Sequence, residues 1–181
     1  MQRFSNQNVN MQQSQSNPLP FGGFDEEEVI VPMTKQRTIP KIPYKVLDAP
    51  SLLDDFYLNL VDWSNQNDLV VGLSNCTYIW SAASSKVTKL QDFGTTGNSV
   101  TSVQWADQGQ HLAVGTHSGV VQVWDAPSQK LVREFKGHEG RVGALAWSTT
   151  GILSSGSKDR SILNRDMRCK NDFIGSLNGH R

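Results

Sequence analysis

The sequence predicts an all-β fold built from a repeated four-stranded unit. Three observations carry that expectation. Short apolar runs rich in Val, Ile, Leu and Trp begin near residue 39, bounded by Gly, Ser, Asn and Asp, and show no helical period. The runs group in fours. Finally, marks return at one spacing: Trp63, Trp105 and Trp147 stand 42 residues apart, and Gly137-His138 recurs after 42 as Gly179-His180. Gly72, Gly115 and Gly156 follow one another at 43 and 41 residues, and Asp125 and Asp166, closing the third strands, at 41.

A period of ~40–45 residues with four strands per unit, a Gly-His and a Trp-Asp is the signature of a WD40-repeat β-propeller blade. The elements follow in order. Twelve of the first twenty residues are Gln, Asn or Ser, too polar to bury a core, and the acidic run Asp25-Glu26-Glu27-Glu28 comes next. Residues 1–36 are therefore expected to be a disordered low-complexity and acidic segment. Residues 37–56 form an extended lead-in, because Pro40 and Pro43 forbid a helix in KQRTIPKIPYK. Residues 57–181 form the propeller part, with blades near 57–95, 99–138 and 141–180. The first blade takes its strands near LNLVDW, LVVGL, TYIW and VTKL. The second takes VTSVQW, HLAVGT, VVQVWD and LVREF, and the third VGALAW, ILSSGS, SILNRD and FIGSL. A closed propeller takes ~4–8 blades, so the expectation is a partial ring or a fragment, ending where a fourth unit would begin.

In a WD-repeat blade a His, a Ser or Thr, an Asp and a Trp form a buried hydrogen-bonded chain. The third blade supplies His138, Ser155 and Asp159, with Arg165 where Trp is usual. The second has Trp124 but Ser118 at the Asp position, and the first has Trp80 with neither His nor Asp. His138 and His180 are accordingly read as structural histidines. His111 and His117 have no acidic or cysteine partner at ligand spacing, and no metal role follows for them.

Nothing in the chain reads as an enzyme, and no catalytic residue, metal or cofactor is expected. Asp54 and Asp55 are adjacent on an extended chain and point to opposite sides, so they make no carboxylate dyad. Ser84-Ser85 and Ser154-Ser155 lack a His-Asp arrangement, and neither GxxxxGK[ST] nor GxGxxG occurs. Lys plus Arg equal Asp plus Glu at 17 each, which argues against a broad grip on nucleic acid. The four cations Lys35, Arg37, Lys41 and Lys45 could still bind nucleic acid locally, a rival reading whose mark would be steep salt dependence. No apolar run approaches the ~18 residues of a membrane span, and the N-terminus lacks a secretory pattern. Cys76 and Cys169 are far apart and outside any CxxC, so no disulfide framework is expected. The expected setting is the nucleus and cytoplasm.

The stretch KIPYKVLDAPSLLDDFYLNLVDWS, residues 41–64, resembles the segment that leads into the propeller of the Fizzy/Fizzy-related family. These are the WD-repeat activators and substrate receptors of the anaphase-promoting complex. The resemblance continues through VTSVQW, LAVGTHSGVVQVWD, GHEGRVGALAW and LSSGSKDRSIL, over about residues 37–180. Asp55-Phe56-Tyr57-Leu58-Asn59 and Thr116-His117-Ser118-Gly119 look more like the Fizzy-related branch. The resemblance implies an adaptor that brings proteins bearing a destruction box or a KEN box to a ubiquitin ligase. It implies about three blades of a presumed seven. It also implies that Asp48, in the LDAP motif, faces the destruction-box Arg, and that Asp55 helps bind the KEN motif. Implied partners are anaphase-promoting complex subunits and degron-bearing proteins, with no nucleic acid and no membrane. Several family features are missing. Arg3-Phe4 matches only two letters of the Asp-Arg-Phe-Ile-Pro-like docking box, the Ile-Arg tail is absent, and no Pro follows a Ser or Thr. The family's destruction-box groove lies between first and last blades, and its KEN site uses later blades. A generic WD-repeat scaffold and an inactive truncated chain are the remaining alternatives.

Overall fold

The computed structural model describes residues 38–180, so the segment expected to be disordered, 1–36, lies outside them. The chain divides into two compact units, Met1–Tyr44 and Lys45–Arg181. In the first, the described residues 38–44 are exposed and carry no regular element.

The second unit holds three antiparallel four-stranded sheets. The first is β1 (Val61–Trp63), β2 (Asp68–Leu73), β3 (Cys76–Ser81) and β4 (Val87–Asp92). The second is β5 (Val100–Trp105), β6 (His111–Thr116), β7 (Val121–Asp125) and β8 (Lys130–Phe135). The third is β9 (Val142–Trp147), β10 (Ile152–Ser157), β11 (Ile162–Asp166) and β12 (Gly175–Leu177). Each sheet is a meander whose spatial order is its sequence order. The fold is the all-β, WD40-type arrangement of propeller blades.

The second sheet explains why its strands are continuous apolar runs. Along β6, Leu112, Ala113 and Val114 are all fully buried, because both faces of the sheet are covered. Alternation then sorts them. Leu112 and Val114 join Leu60, Val70, Val100 and Val103 in the core against the first sheet. Ala113 joins Val121, Val123, Phe135, Val142 and Leu153 in the core against the third. The outermost strands β4 and β8 are mostly exposed or half-buried instead.

Polar contacts hold the sheets in register. Asp62 accepts from the Trp105 amide at 2.6 Å and from Gln104 Nε2 at 3.1 Å. The hydroxyls of Thr101 and Ser102 both donate to the Val142 carbonyl at 2.7 Å. Glycine permits the close approach: a Cβ on Gly72 would lie 2.8 Å from Val100 Cγ1, and one on Gly115 would meet Ser102 and Val142. That is the physical reason for two of the recurring glycines.

Two strands are shorter than their apolar runs. In LNLVDW the strand is Val61–Trp63, with the Leu60 carbonyl also accepting from Gly72 of β2 at 2.8 Å, because the Asn59 backbone turns to β5: its amide donates to Thr101 and its carbonyl accepts from Val103, at 3.1 and 2.8 Å. In FIGSL, Phe173 and Ile174 precede β12, and Ile174 still donates to the Asn164 carbonyl at 2.8 Å.

The third blade contains the chain His138–Ser155–Asp159, buried at His138 and Ser155 and partly buried at Asp159. His138 Nδ1 meets Asp159 at 3.1 Å, and Nε2 meets the Ser155 hydroxyl at 2.9 Å. Arg165, fully buried, takes the place of Trp by donating Nε–H to Ser155 at 3.0 Å. Its Nη1 also donates to the carbonyls of Lys136 and Asp172, both at 2.8 Å. Arginine only donates and an ionised carboxylate only accepts, so one proton order satisfies the chain. Arg165 donates to Ser155, Ser155 to His138 Nε2, and Nδ1–H to Asp159. Burial lowers the His138 pKa against the opposing pull of Asp159, and burial lowers that of Arg165 to about 10. Burial would raise Asp159, but donors from Ser161, Glu139 and His138 outweigh it and hold the carboxyl far below its usual range. In the second blade Ser118 stands in for Asp by accepting from Asn98 Nδ2 at 2.7 Å. His180, read from the sequence as structural, is exposed and has no hydrogen bond among the described residues.

Two outcomes follow from this chain. Folded His138 resists protonation, so below about pH 6.5 the unfolded chain binds the extra proton and stability falls with pH. The slope is at most ~1.4 kcal/mol per pH unit until the folded pKa is passed. Urea midpoints should drop between pH 7.5 and 5.5, and His138→Gln should flatten that segment. Arg165→Ala strands Ser155 and two carbonyls and should cost about 3 kcal/mol in urea unfolding. Arg165→Trp should cost less, because an indole N–H can again donate to Ser155.

Candidate functional site

The candidate site is built by residues 45–60 and the loops of the third blade. Lys45 anchors the start of the segment on the first blade: its ammonium donates to Ser85 Oγ at 2.7 Å and lies 5.0 Å from the Trp80 ring centroid. Asn59 anchors the end through its backbone bonds to β5 and through Nδ2, which donates to the Gly143 carbonyl. A Cβ on Gly143 would lie 2.9 Å from the Tyr57 carbonyl, so this glycine lets the segment lie flat on β9. Between the anchors the chain has no regular strand and most side chains are exposed.

Asp55 is half-buried and organised. Its Oδ1 accepts from the Tyr57 amide at 2.9 Å, an Asx-type turn. Its Oδ2 pairs with Arg141 Nη1 at 3.3 Å. The Arg141 guanidinium also lies 5.1 Å from the Tyr57 ring centroid, a cation–π contact. Phe56 packs edge-on to Tyr57 at 5.5 Å yet is 94% exposed. Phe56, Tyr57, Asn59 and Arg141 line an open pocket of about 790 Å³ with Lys158 and Arg160. Asp48 is exposed, does not line that pocket and makes no side-chain hydrogen bond among the described residues. The structure therefore does not bring Asp48 and Asp55 into one cluster. Such an exposed aromatic pair beside paired charges suits an extended peptide bearing charged side chains.

Asp55 was expected from the resemblance, whereas Arg141, Lys158 and Arg160, which line the pocket next to it, were not singled out. The signal was available in the repeat: the loops Gly137–Arg141 and Ser157–Ser161 precede β9 and follow β10, which pair antiparallel, so both emerge at one end of the blade. Among the described residues no group of three or more His, Cys, Asp or Glu could hold a metal ion, and no helix is long and apolar enough to cross a membrane.

Residues 61–150 match the family model of the anaphase-promoting complex subunit 4 WD40 domain. With the three sheets and the recurring marks, this defines a WD-repeat propeller protein. Protein FIZZY-RELATED 2 of Arabidopsis thaliana is 57% identical over 90% of this chain and 34% of that protein. Meiotic fizzy-related protein 1 of Schizosaccharomyces pombe is 56% identical over 82% of this chain and 35% of its own length. The anaphase-promoting complex subunit cdc20 of Dictyostelium discoideum is 47% identical over 80% and 29% respectively. A chain in a crystal structure of the mitotic checkpoint complex superposes with a TM-score of 0.74 at 39% identity, covering 91% of this chain and 49% of that one. Over most of its length the chain is similar to Fizzy-related and Cdc20-like proteins, and it spans about a third of the length of the curated relatives it matches.

Gly143→Ala should push Tyr57 off β9. The expected result is faster proteolytic cleavage between residues 45 and 60, with a loss of roughly 1–3 kcal/mol in overall stability. Unchanged cleavage would mean that the close approach at Gly143 does not hold the segment.

Proposed function

We propose that this chain is the substrate-reading portion of an anaphase-promoting complex activator. It acts as an adaptor, not an enzyme, binding destruction-box and KEN-type degrons in the nucleus and cytoplasm for cell-cycle protein degradation. The observation that carries the reading is the lead-in segment. It joins the family's distinctive sequence to two acidic residues in different settings, one exposed and free, the other held by Tyr57 and Arg141. Kinship with proteins named as Fizzy-related, and with one named as an anaphase-promoting complex subunit, supports the ligase as partner.

In this reading Asp48 receives the arginine of a destruction box, since a planar guanidinium fork suits a carboxylate as an ammonium does not. Asp55 receives the lysine of a KEN-type segment. A hydrogen bond to a charged group contributes roughly 1.5–3 kcal/mol, and exposure at Asp48 favours the lower figure. In a full-length chimera that carries residues 39–181 of this chain, Asp48→Ala should therefore weaken an RxxL peptide about tenfold in titration. Asp48→Asn should recover little, and KEN-peptide affinity should stay within about twofold. Equal loss for both peptides, or none for RxxL, would overturn the assignment of Asp48.

A further inference from the structure

A second cavity, of about 290 Å³, lies at the seam between the first two sheets and shares no lining residue with the pocket beside Asp55. Its apolar wall is Ile79, Trp105, Ala126 and Pro127. The corresponding part of the next seam is closed. Val123, which precedes Trp124 as Ile79 precedes Trp80, is fully buried, whereas Ile79 is only partly so. The recurring tryptophans differ in the same sense. Trp63 donates its indole N–H to Asn67 Oδ1, and Trp147 donates to the Gln104 carbonyl, both at 3.3 Å. Trp105 is only 4% exposed, yet its Nε1–H has no acceptor among the described residues. A buried indole N–H ordinarily finds one. Asp68 and Lys86 also line the cavity. Their amides bond to the Ser64 and Ser84 hydroxyls, but neither charged group has a partner among the described residues. Thr88 lines the cavity from β4, the outermost strand of the first sheet, whose outer edge pairs with no strand among the described residues.

We propose that this cavity binds the carboxamide side chain of a glutamine in an extended segment of a partner protein, laid along the free edge of β4 with an acidic residue two positions away. A carboxamide carries an acceptor and two donors. Its oxygen meets the Trp105 N–H, its amino group meets the Asp68 carboxylate, and its methylenes lie on Ile79 and Pro127. Side chains two apart on a strand share a face. Lys86 and Thr88 are two apart, so a strand added to β4 sets the residue opposite Lys86 two positions from the one opposite Thr88. Glutamine opposite Thr88 and a carboxylate opposite Lys86 therefore satisfy the cavity and its rim together. Asp68 does not repel that carboxylate strongly, because it sits on β2, two strands in from the edge. This site is independent of the degron reading.

The test is titration of the 181-residue chain with the peptide Thr-Glu-Val-Gln-Val-Glu-Thr, which offers an acid two positions from the glutamine in either strand direction. One analogue replaces Gln by Leu, another both Glu by Thr. The wild-type chain should prefer Gln over Leu by about tenfold. It should prefer Glu over Thr by about threefold, since Lys86 is exposed. Trp105→Phe should cut the Gln/Leu ratio to about threefold or less and leave the Glu/Thr ratio, and Lys86→Gln should do the converse. Asp68→Ala supplies the same comparison as Trp105→Phe at a half-buried position that folding tolerates better. Binding should also slow amide exchange along β4. Absence of binding at millimolar peptide, a Leu analogue that binds as tightly as the Gln peptide, a Gln/Leu ratio indifferent to both Trp105 and Asp68, or unchanged exchange in β4 overturns the site.

Discussion

Leu112 and Val114 on one side of β6, and Ala113 on the other, are removed from water by two different neighbouring sheets. A four-stranded sheet cannot cover its own faces, so each blade depends on the next for its core. That stacking constrains everything else in the Lys45–Arg181 unit. It places small residues at the seams, where Gly72 and Gly115 let backbones approach. It also puts hydroxyls of one sheet on a carbonyl of the next, as Thr101 and Ser102 do on Val142.

The candidate site is a consequence of the same stacking. Asn59 pairs its backbone with β5 of the second blade and its side-chain amide with Gly143 of the third. The segment before β1 is therefore fastened across two seams. Asp55 owes its position to that fastening, because its ion-pair partner Arg141 is the residue before β9. Asp48 lies farther back toward the Lys45 anchor and stays solvated. Two carboxylates seven residues apart thus meet different surroundings: one is a free anion, the other half of a charge pair stacked on an aromatic ring.

Much of the fold was legible in the sequence because the repeat writes itself three times. All twelve predicted runs contain a strand, and the turns fall where Gly, Asn, Asp and Ser cluster. The His138–Ser155–Asp159 chain was expected from the WD-repeat pattern, and its side chains meet at 2.9 and 3.1 Å. Legibility ended where one residue serves a neighbour that is distant in sequence. Leu58 to Leu60 carry a strand-like pattern, but Asn59 pairs with β5 instead of β2, a choice no local window reveals. Arg165 looked like a defect in the WD pattern, yet it completes the chain through Ser155 and adds bonds to two carbonyls. Arg141, Lys158 and Arg160 read as ordinary surface charges until folding gathered them at one pocket.

The claim beneath the whole account is that the segment before β1 belongs to the stacked fold and is not a loose arm. Hydrogen exchange at the amides of Asn59 and Val103 tests it most directly, since these are the two backbone bonds that fasten the segment to β5. Protection approaching that of Leu112 and Val114 in β6 is the predicted result. Exchange of Asn59 at the rate of an exposed chain, with β6 still protected, would contradict the account.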